Sequence, residues 1–216
     1  LYVSRGGEKL AAAFEAFDLD VQGSICADVG ASTGGFTDCL LQKGAAKVYA
    51  IDVGQGVLHW KLRNHPGVVV MEGTNARFLE RLPEPVQFVT IDASFISLKI
   101  LLPVVMGWLS PSPNRELHGE VLALIKPQFE AGRREVARGK GVVRDPNIHQ
   151  EVLVEVLSYA AAVGYTIRGL ERSPLHGPKG NVEFLMWLQS AGGPEVGEAD
   201  FMDFVSRVVD IGDRPG

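Results

Sequence analysis

Four residues stand out for the chemistry their types allow: Lys9, Asp92, Lys126 and Glu183. Asp92 lies in Thr90-Ile91-Asp92-Ala93-Ser94-Phe95 and Lys126 in Leu124-Ile125-Lys126-Pro127-Gln128-Phe129, each directly behind an apolar run of strand length. A solvated lysine is not expected right behind a buried strand. A lysine there can orient a hydroxyl and take its proton. Glu183 is a lone acid in Gly180-Asn181-Val182-Glu183-Phe184-Leu185, and Lys9 opens a helical pattern in Ser4-Arg5-Gly6-Gly7-Glu8-Lys9-Leu10. Taken singly, each has a plainer role: a strand-end cap for Asp92, a snorkelling stem for Lys126, a solvated surface for Glu183 and Lys9. Two lysines and two acids at the strand and helix ends of one fold are harder to dismiss.

A second group could bind a nucleotide-like molecule. The stretch Ala27-Asp28-Val29-Gly30-Ala31-Ser32-Thr33-Gly34-Gly35-Phe36 follows an apolar run and precedes a helical pattern, and the next apolar run ends in Asp52. Glycines permit close backbone approach and a helix start offers free N–H groups. An acid after the second strand can accept bonds from ribose hydroxyls. The loop has neither the G-x-x-x-x-G-K-[ST] nor the G-x-G-x-x-G spacing of phosphate cradles. Asp28 instead precedes it, and a carboxylate there repels a pyrophosphate and attracts a cation. S-adenosylmethionine carries a sulfonium and an ammonium, so the loop reads as a methyl-donor site. The expected contacts are Asp28 near the ammonium end, Gly30, Ala31, Ser32, Thr33, Gly34, Gly35 and Phe36 under the methionine, Asp52 and Val53 at the ribose, and Thr74 and Asn75 at the adenine, with Asp92 closing the pocket.

The elements that must position these residues alternate along the chain. Apolar runs at 25–29, 47–51, 67–71, 86–91 and 119–125 predict buried parallel strands. Helical patterns fall at 8–17, 35–43, 55–63, 97–109 and 147–163, the last opened by Asp145-Pro146 and closed by Gly164. Residues 165–172 and 181–188, joined by a turn-rich loop, predict an antiparallel pair at the sheet's end. The expected fold class is α/β, a doubly wound seven-stranded Rossmann-like methyltransferase fold whose last strand is antiparallel. Ligands of such sheets sit beyond the carboxyl ends of the strands. A short helix is expected in the tail through Phe201, Phe204, Val205 and Val208.

The 216 residues, 46% hydrophobic and 22% charged, suit one globular domain, and no apolar run reaches a membrane span. The histidines and the two cysteines form no ligand spacing, so no metal is expected, and two buried thiols fit a cytoplasmic protein. Net charge is −5, yet Lys126, Arg133, Arg134, Arg138, Lys140 and Arg144 crowd one segment. That run can reach RNA phosphates; its plainer reading is a solvated loop.

The order Lys9, Asp92, Lys126, Glu183 resembles the tetrad of the FtsJ-like ribose 2′-O-methyltransferases. The phrases Tyr2-Val3-Ser4-Arg5-Gly6-Gly7, Asp28 to Leu41, Thr90 to Leu98, Lys126 to Gly132, Gly141 to Pro146 and Gly177 to Glu183 resemble the TlyA branch more closely, over residues 2 to about 189. The resemblance implies an S-adenosylmethionine-dependent enzyme acting on the 2′-hydroxyl of ribosomal RNA cytidine, on free RNA or a ribosomal subunit, with Arg5 and the basic segment as RNA contacts. It also implies an RNA-binding domain before Tyr2, leaving residues 190–216 as a tail. In this reading Lys126 orients and deprotonates the hydroxyl, Asp92 and Glu183 tune it, and Lys9 steadies the substrate and the carboxylates. Thr33 stands where FtsJ has proline. Two alternatives remain: a donor- and RNA-binding module that is inactive without its N-terminal domain, and the membrane-active protein that the family's "hemolysin" names invite. Against the second, the chain lacks a spanning helix or a strongly amphipathic basic one. The residues do not give the oligomeric state.

Overall fold

The computed structural model describes residues 1–110, 118–132, 139–190 and 198–210. Seven strands form one sheet in the order β3-β2-β1-β4-β5-β7-β6. They are β1 (Ile25–Val29), β2 (Lys47–Ile51), β3 (Val68–Met71), β4 (Phe88–Ile91), β5 (Glu120–Ile125), β6 (Tyr165–Arg172) and β7 (Phe184–Ser190). The first five pair in parallel, while β7 lies between β5 and β6 and runs antiparallel to both. The helices are α1 (Gly6–Phe17), α2 (Gly35–Gln42), α3 (Trp60–Arg63), α4 (Leu98–Met106), α5 (Pro127–Glu130), α6 (Pro146–Val163) and α7 (Glu198–Asp210).

Strand alternation sorts the core into two layers. Cys26, Val48, Phe88 and Leu122 pack with Leu10 and Phe14 of α1 and Leu40 of α2. Ala27, Val89, Val121 and Ile125 face the other way, onto Leu101 and Leu102 of α4 and Val152, Leu153, Val156 and Leu157 of α6. The two cysteines are free and buried. Helix α7 is part of this second layer, because its Phe201, Val205 and Val208 are buried in it.

Helix termini follow the local chemistry. The Asp145 carboxylate accepts from Asn147 N–H, Pro146 occupies the first turn of α6, and Gly164 closes it at φ 108°. Ser97 caps α4 in the same way. The helix expected over 55–63 is a correction: only Trp60–Arg63 is helical. Glu72, beyond β3, accepts from the N–H groups of Gly56, Val57 and Leu58 and from Arg63, and so holds residues 56–58 as a loop. The last strand also starts later than expected, because the Asn181 side chain donates to the Gly141 carbonyl and accepts from Val143 N–H.

From β1 the sheet grows one way through β2 and β3 and the other way through β4 and β5. This switch opens a crevice beyond the paired ends Val29 and Ile91. Gly30 and Asp92 meet at its floor. A Cβ on Gly30 would lie 2.7 Å from the Asp92 carbonyl oxygen, and Gly30 has φ 85°, so only glycine lets the two loops come this close.

Candidate active site

Three cavities share Gly30, Ser32 and Asp92 in their walls. The first, about 630 Å³, extends over the ends of β1, β2 and β3 and is lined by Asp52, Val53, Thr74 and Asn75. Asp52 takes the N–H of Ser32 on one oxygen and that of Gly54 on the other, both at 2.7 Å. A carboxylate has about four acceptor positions, so two remain for a diol. The cavity also meets Ala93, Ile96 and Leu101, an apolar wall opposite that acid. Volume, acid and apolar wall together fit the adenosine part of S-adenosylmethionine.

The second cavity, about 350 Å³, lies between the glycine loop and α1, with Arg5, Lys9, Ala31, Thr33, Gly35, Phe36 and His176 in its walls. Two residues of the expected donor set are not on a cavity wall. Gly34 faces α3, where a Cβ would strike Leu62 at 2.2 Å. Gly34 also has φ 97°, so both its backbone and its packing call for glycine. Asp28 is fully buried, its oxygens bonded to Thr37 Oγ1 at 2.7 Å and Thr90 Oγ1 at 3.0 Å. Asp28, expected near the ammonium end, thus lies off the cavity walls: β1 alternation turns it down onto α2, beneath the loop. Burial pushes its carboxyl up to about 6, against the pull of the two hydroxyls.

The third cavity, about 650 Å³, brings together the four residues the sequence singled out. Lys126 Nζ lies 2.6 Å from Asp92 Oδ1 and 3.2 Å from Ser94 Oγ. Lys9 Nζ lies 2.5 Å from Glu183 Oε2. Lys126 and Glu183 are almost wholly buried, at 7% and 1% exposure, so each charge is met by its partner rather than by water. The tetrad comes from four elements: α1, the end of β4, the end of β5 and the start of β7. Phe95 and Phe129, ring centres 5.0 Å apart, line the same cavity.

Sequence reasoning missed the residues that stitch these loops together. Glu130, in the turn of α5 after Lys126, accepts from Ser97 Oγ at 2.6 Å and from Leu98 N–H at 2.8 Å. It thereby ties the Lys126 loop to the segment after Asp92, and burial raises its carboxyl. Its signal was an acid in an apolar turn. Of the RNA residues, Arg5 lines the second cavity, and Lys140 and Arg144 are exposed outside all three cavities. Arg133, Arg134 and Arg138 lie outside the described residues. Among the described residues no cluster of potential metal ligands occurs, and no helix is long and apolar enough to cross a membrane.

A doubly wound sheet with a closing antiparallel strand, an acid after β2 and a cleft at the β1/β4 switch defines a Rossmann-like methyltransferase. Residues 2–190 match the FtsJ-like methyltransferase family, and the chain belongs to it, in its TlyA branch. It is 44% identical over 213 residues to the 16S/23S rRNA (cytidine-2′-O)-methyltransferase TlyA of Mycobacterium tuberculosis, covering 98% of this chain and 77% of that one. It is 47% identical over 215 residues to YqxC of Bacillus subtilis, covering 97% of this chain and 73% of that protein. A solved structure from Streptococcus thermophilus, described as a hemolysin, superposes with a TM-score of 0.86 at 43% identity, over 95% of this chain and 74% of the other.

Proposed function

We propose that this domain methylates the 2′-hydroxyl of a ribosomal RNA nucleotide, a cytidine by analogy with TlyA, using S-adenosylmethionine. The observation that carries the reading is the pair of buried lysine–carboxylate contacts in the cavity adjoining the Asp52 cavity. Asp52, Thr74 and Asn75 would hold the donor's ribose and adenine, and Gly30 to Thr33 would pass beside its methionine. When bound, the donor supplies an electrophilic methyl carbon on a sulfonium.

The chain's residues do the rest. An unactivated hydroxyl is a weak nucleophile, so position and proton removal decide the rate. Lys126, held by Asp92 and Ser94, orients the 2′-hydroxyl; once it has released a proton to solvent, its neutral amine takes the proton that the oxygen loses as that oxygen bonds the methyl carbon and the sulfonium leaves as a thioether. Asp92 stabilises the ammonium so formed. Glu183 fixes Lys9, which faces the same cavity and steadies the RNA. Arg5 lies beside the cleft to meet backbone phosphate, and Arg144 and Lys140 extend that surface.

Lys126→Ala is expected to abolish methyl transfer to unmodified ribosomal RNA while leaving donor affinity, read by calorimetry, nearly unchanged. Equal loss of donor binding and turnover would contradict the role given to Lys126.

A further inference from the structure

The turn between β6 and β7 contains two glycines with opposite surroundings. Gly180 has φ 80° and open space where a side chain would go, so its backbone conformation is what requires glycine. Gly177 does not have a positive φ, and its backbone would accept any L residue. A Cβ there would lie 2.0 Å from Glu183 Oε1 and 2.6 Å from Glu183 Cδ. The obstacle is thus the carboxylate itself. Among the described residues that buried oxygen has no hydrogen-bond partner, while the other holds Lys9. The backbone around Gly177 is tied down: its N–H donates to Asn181 O at 2.9 Å and its carbonyl accepts from Gly180 N–H at 3.1 Å. Ser173 N–H donates to Glu183 O, which closes the turn at its base. The loop cannot simply move aside, so the carboxylate must give way.

We propose that Gly177 is a positioning residue: its missing side chain forms the seat of the Glu183 carboxylate and so fixes the Lys9–Glu183 pair at the reaction site. The inference rests on the functional reading above for its effect on rate, but not for its effect on geometry. A methyl at position 177 pushes Glu183 Oε1 away and breaks the 2.5 Å contact with Lys9. Displacements of about 1 Å in such sites cost on the order of 100-fold in turnover. Shortening Glu183 to aspartate withdraws the carboxylate from the new methyl, so the two changes compensate each other.

The test compares Gly177→Ala, Gly177→Ala with Glu183→Asp, and Gly180→Asn as a control in the same turn. Each is assayed for melting temperature, S-adenosylmethionine affinity, methyl transfer to unmodified ribosomal RNA, and the NMR signal of the Lys9 ammonium. Gly177→Ala is expected to fold and bind donor normally, to lose about 100-fold in kcat with little change in KM for RNA, and to lose the protected Lys9 signal. Adding Glu183→Asp should recover about 10-fold of that loss. Gly180→Asn should stay near wild type, because asparagine tolerates positive φ. Wild-type kcat or an intact Lys9 signal in Gly177→Ala overturns the proposal, and so does an absence of rescue. Should Gly177→Ala fail to fold, the double variant must fold, and its failure also overturns the proposal. A wild-type protein without transfer activity would remove the functional reading alone, since the Lys9 signal still decides for or against the seat.

Discussion

The two ends of the cleft hold their acids differently. At the donor end, neutral groups hold the carboxylates: backbone N–H groups on Asp52, threonine hydroxyls on Asp28. At the acceptor end, ammonium groups hold them: Lys126 on Asp92, Lys9 on Glu183. Of these only Asp52 lines a cavity, where in the proposed reading its remaining acceptor positions suit a diol. Ion pairing offsets the charge and, in the proposed reading, holds a lysine nitrogen at the reacting oxygen. The contrast separates binding from chemistry: donor-end substitutions should cost affinity, acceptor-end substitutions turnover.

The sharpest break would come from Lys126→Ala, expected to lower kcat by about 100- to 10,000-fold, as for loss of a general base. A comparable fall in donor affinity would erase the distinction. Next in size is the buried donor-end acid. The Asp28 carboxyl has a folded value of about 6 against 3.8 in the unfolded chain. Below that lower value it is protonated in both states and carries no penalty. Above about 6 it is ionised in both, and the folded state bears the full cost of burial. This group therefore lowers stability by about 3 kcal/mol as pH rises from about 4 to 6. Asp28→Asn should remove that component, read as the variant-minus-wild-type difference in urea unfolding at pH 4, 5, 6 and 7. A difference that stays flat would show that the carboxyl is not shifted.

Asp52→Ala should weaken donor binding by about 10- to 100-fold, the worth of one charge-assisted pair of bonds, with methyl transfer recovered at saturating donor. Loss of kcat at saturation would move Asp52 to the chemical side of the comparison. At Glu130 the expected effect falls on stability rather than on binding or turnover. Glu130→Gln keeps an acceptor for Leu98 N–H and should cost about 1 kcal/mol in thermal or denaturant unfolding, whereas Glu130→Ala leaves two donors unmatched and should cost about 2 to 4 kcal/mol. Equal costs for the two would mean that Glu130 does not act as the clamp.

Much of this was legible in the residues. Apolar runs followed by Asp52, Asp92 and Lys126 located three strand ends, because a buried parallel strand is mostly apolar and the charged residue after it marks where the core stops; Asp28 is instead buried within β1. The helix α6 was legible from its cap, its period and its closing glycine. The loop at 53–59 was not, because what straightens it is the Glu72 carboxylate from beyond the next strand. For the same reason, the glycine run did not reveal which glycines face ligand. Gly30 touches the Asp92 loop, Gly34 touches α3, and only tertiary contacts separate them. Nor could Asp28 be told from a ligand-facing acid, since its hydroxyl partners Thr37 and Thr90 come from α2 and β4. The pairing within the tetrad is likewise tertiary: Lys126 meets Asp92 because β4 and β5 lie side by side, and Lys9 meets Glu183 because α1 comes against the start of β7.

The central claim is that the paired lysines serve a ribose hydroxyl. The most direct measurement is mass spectrometry of nucleosides from unmodified ribosomal RNA treated with this protein and S-adenosylmethionine, with Lys126→Ala run alongside. The account predicts 2′-O-methylcytidine with the wild-type chain and none with the variant. A methyl group on a base, or a 2′-O-methyl product that persists in Lys126→Ala, would contradict it.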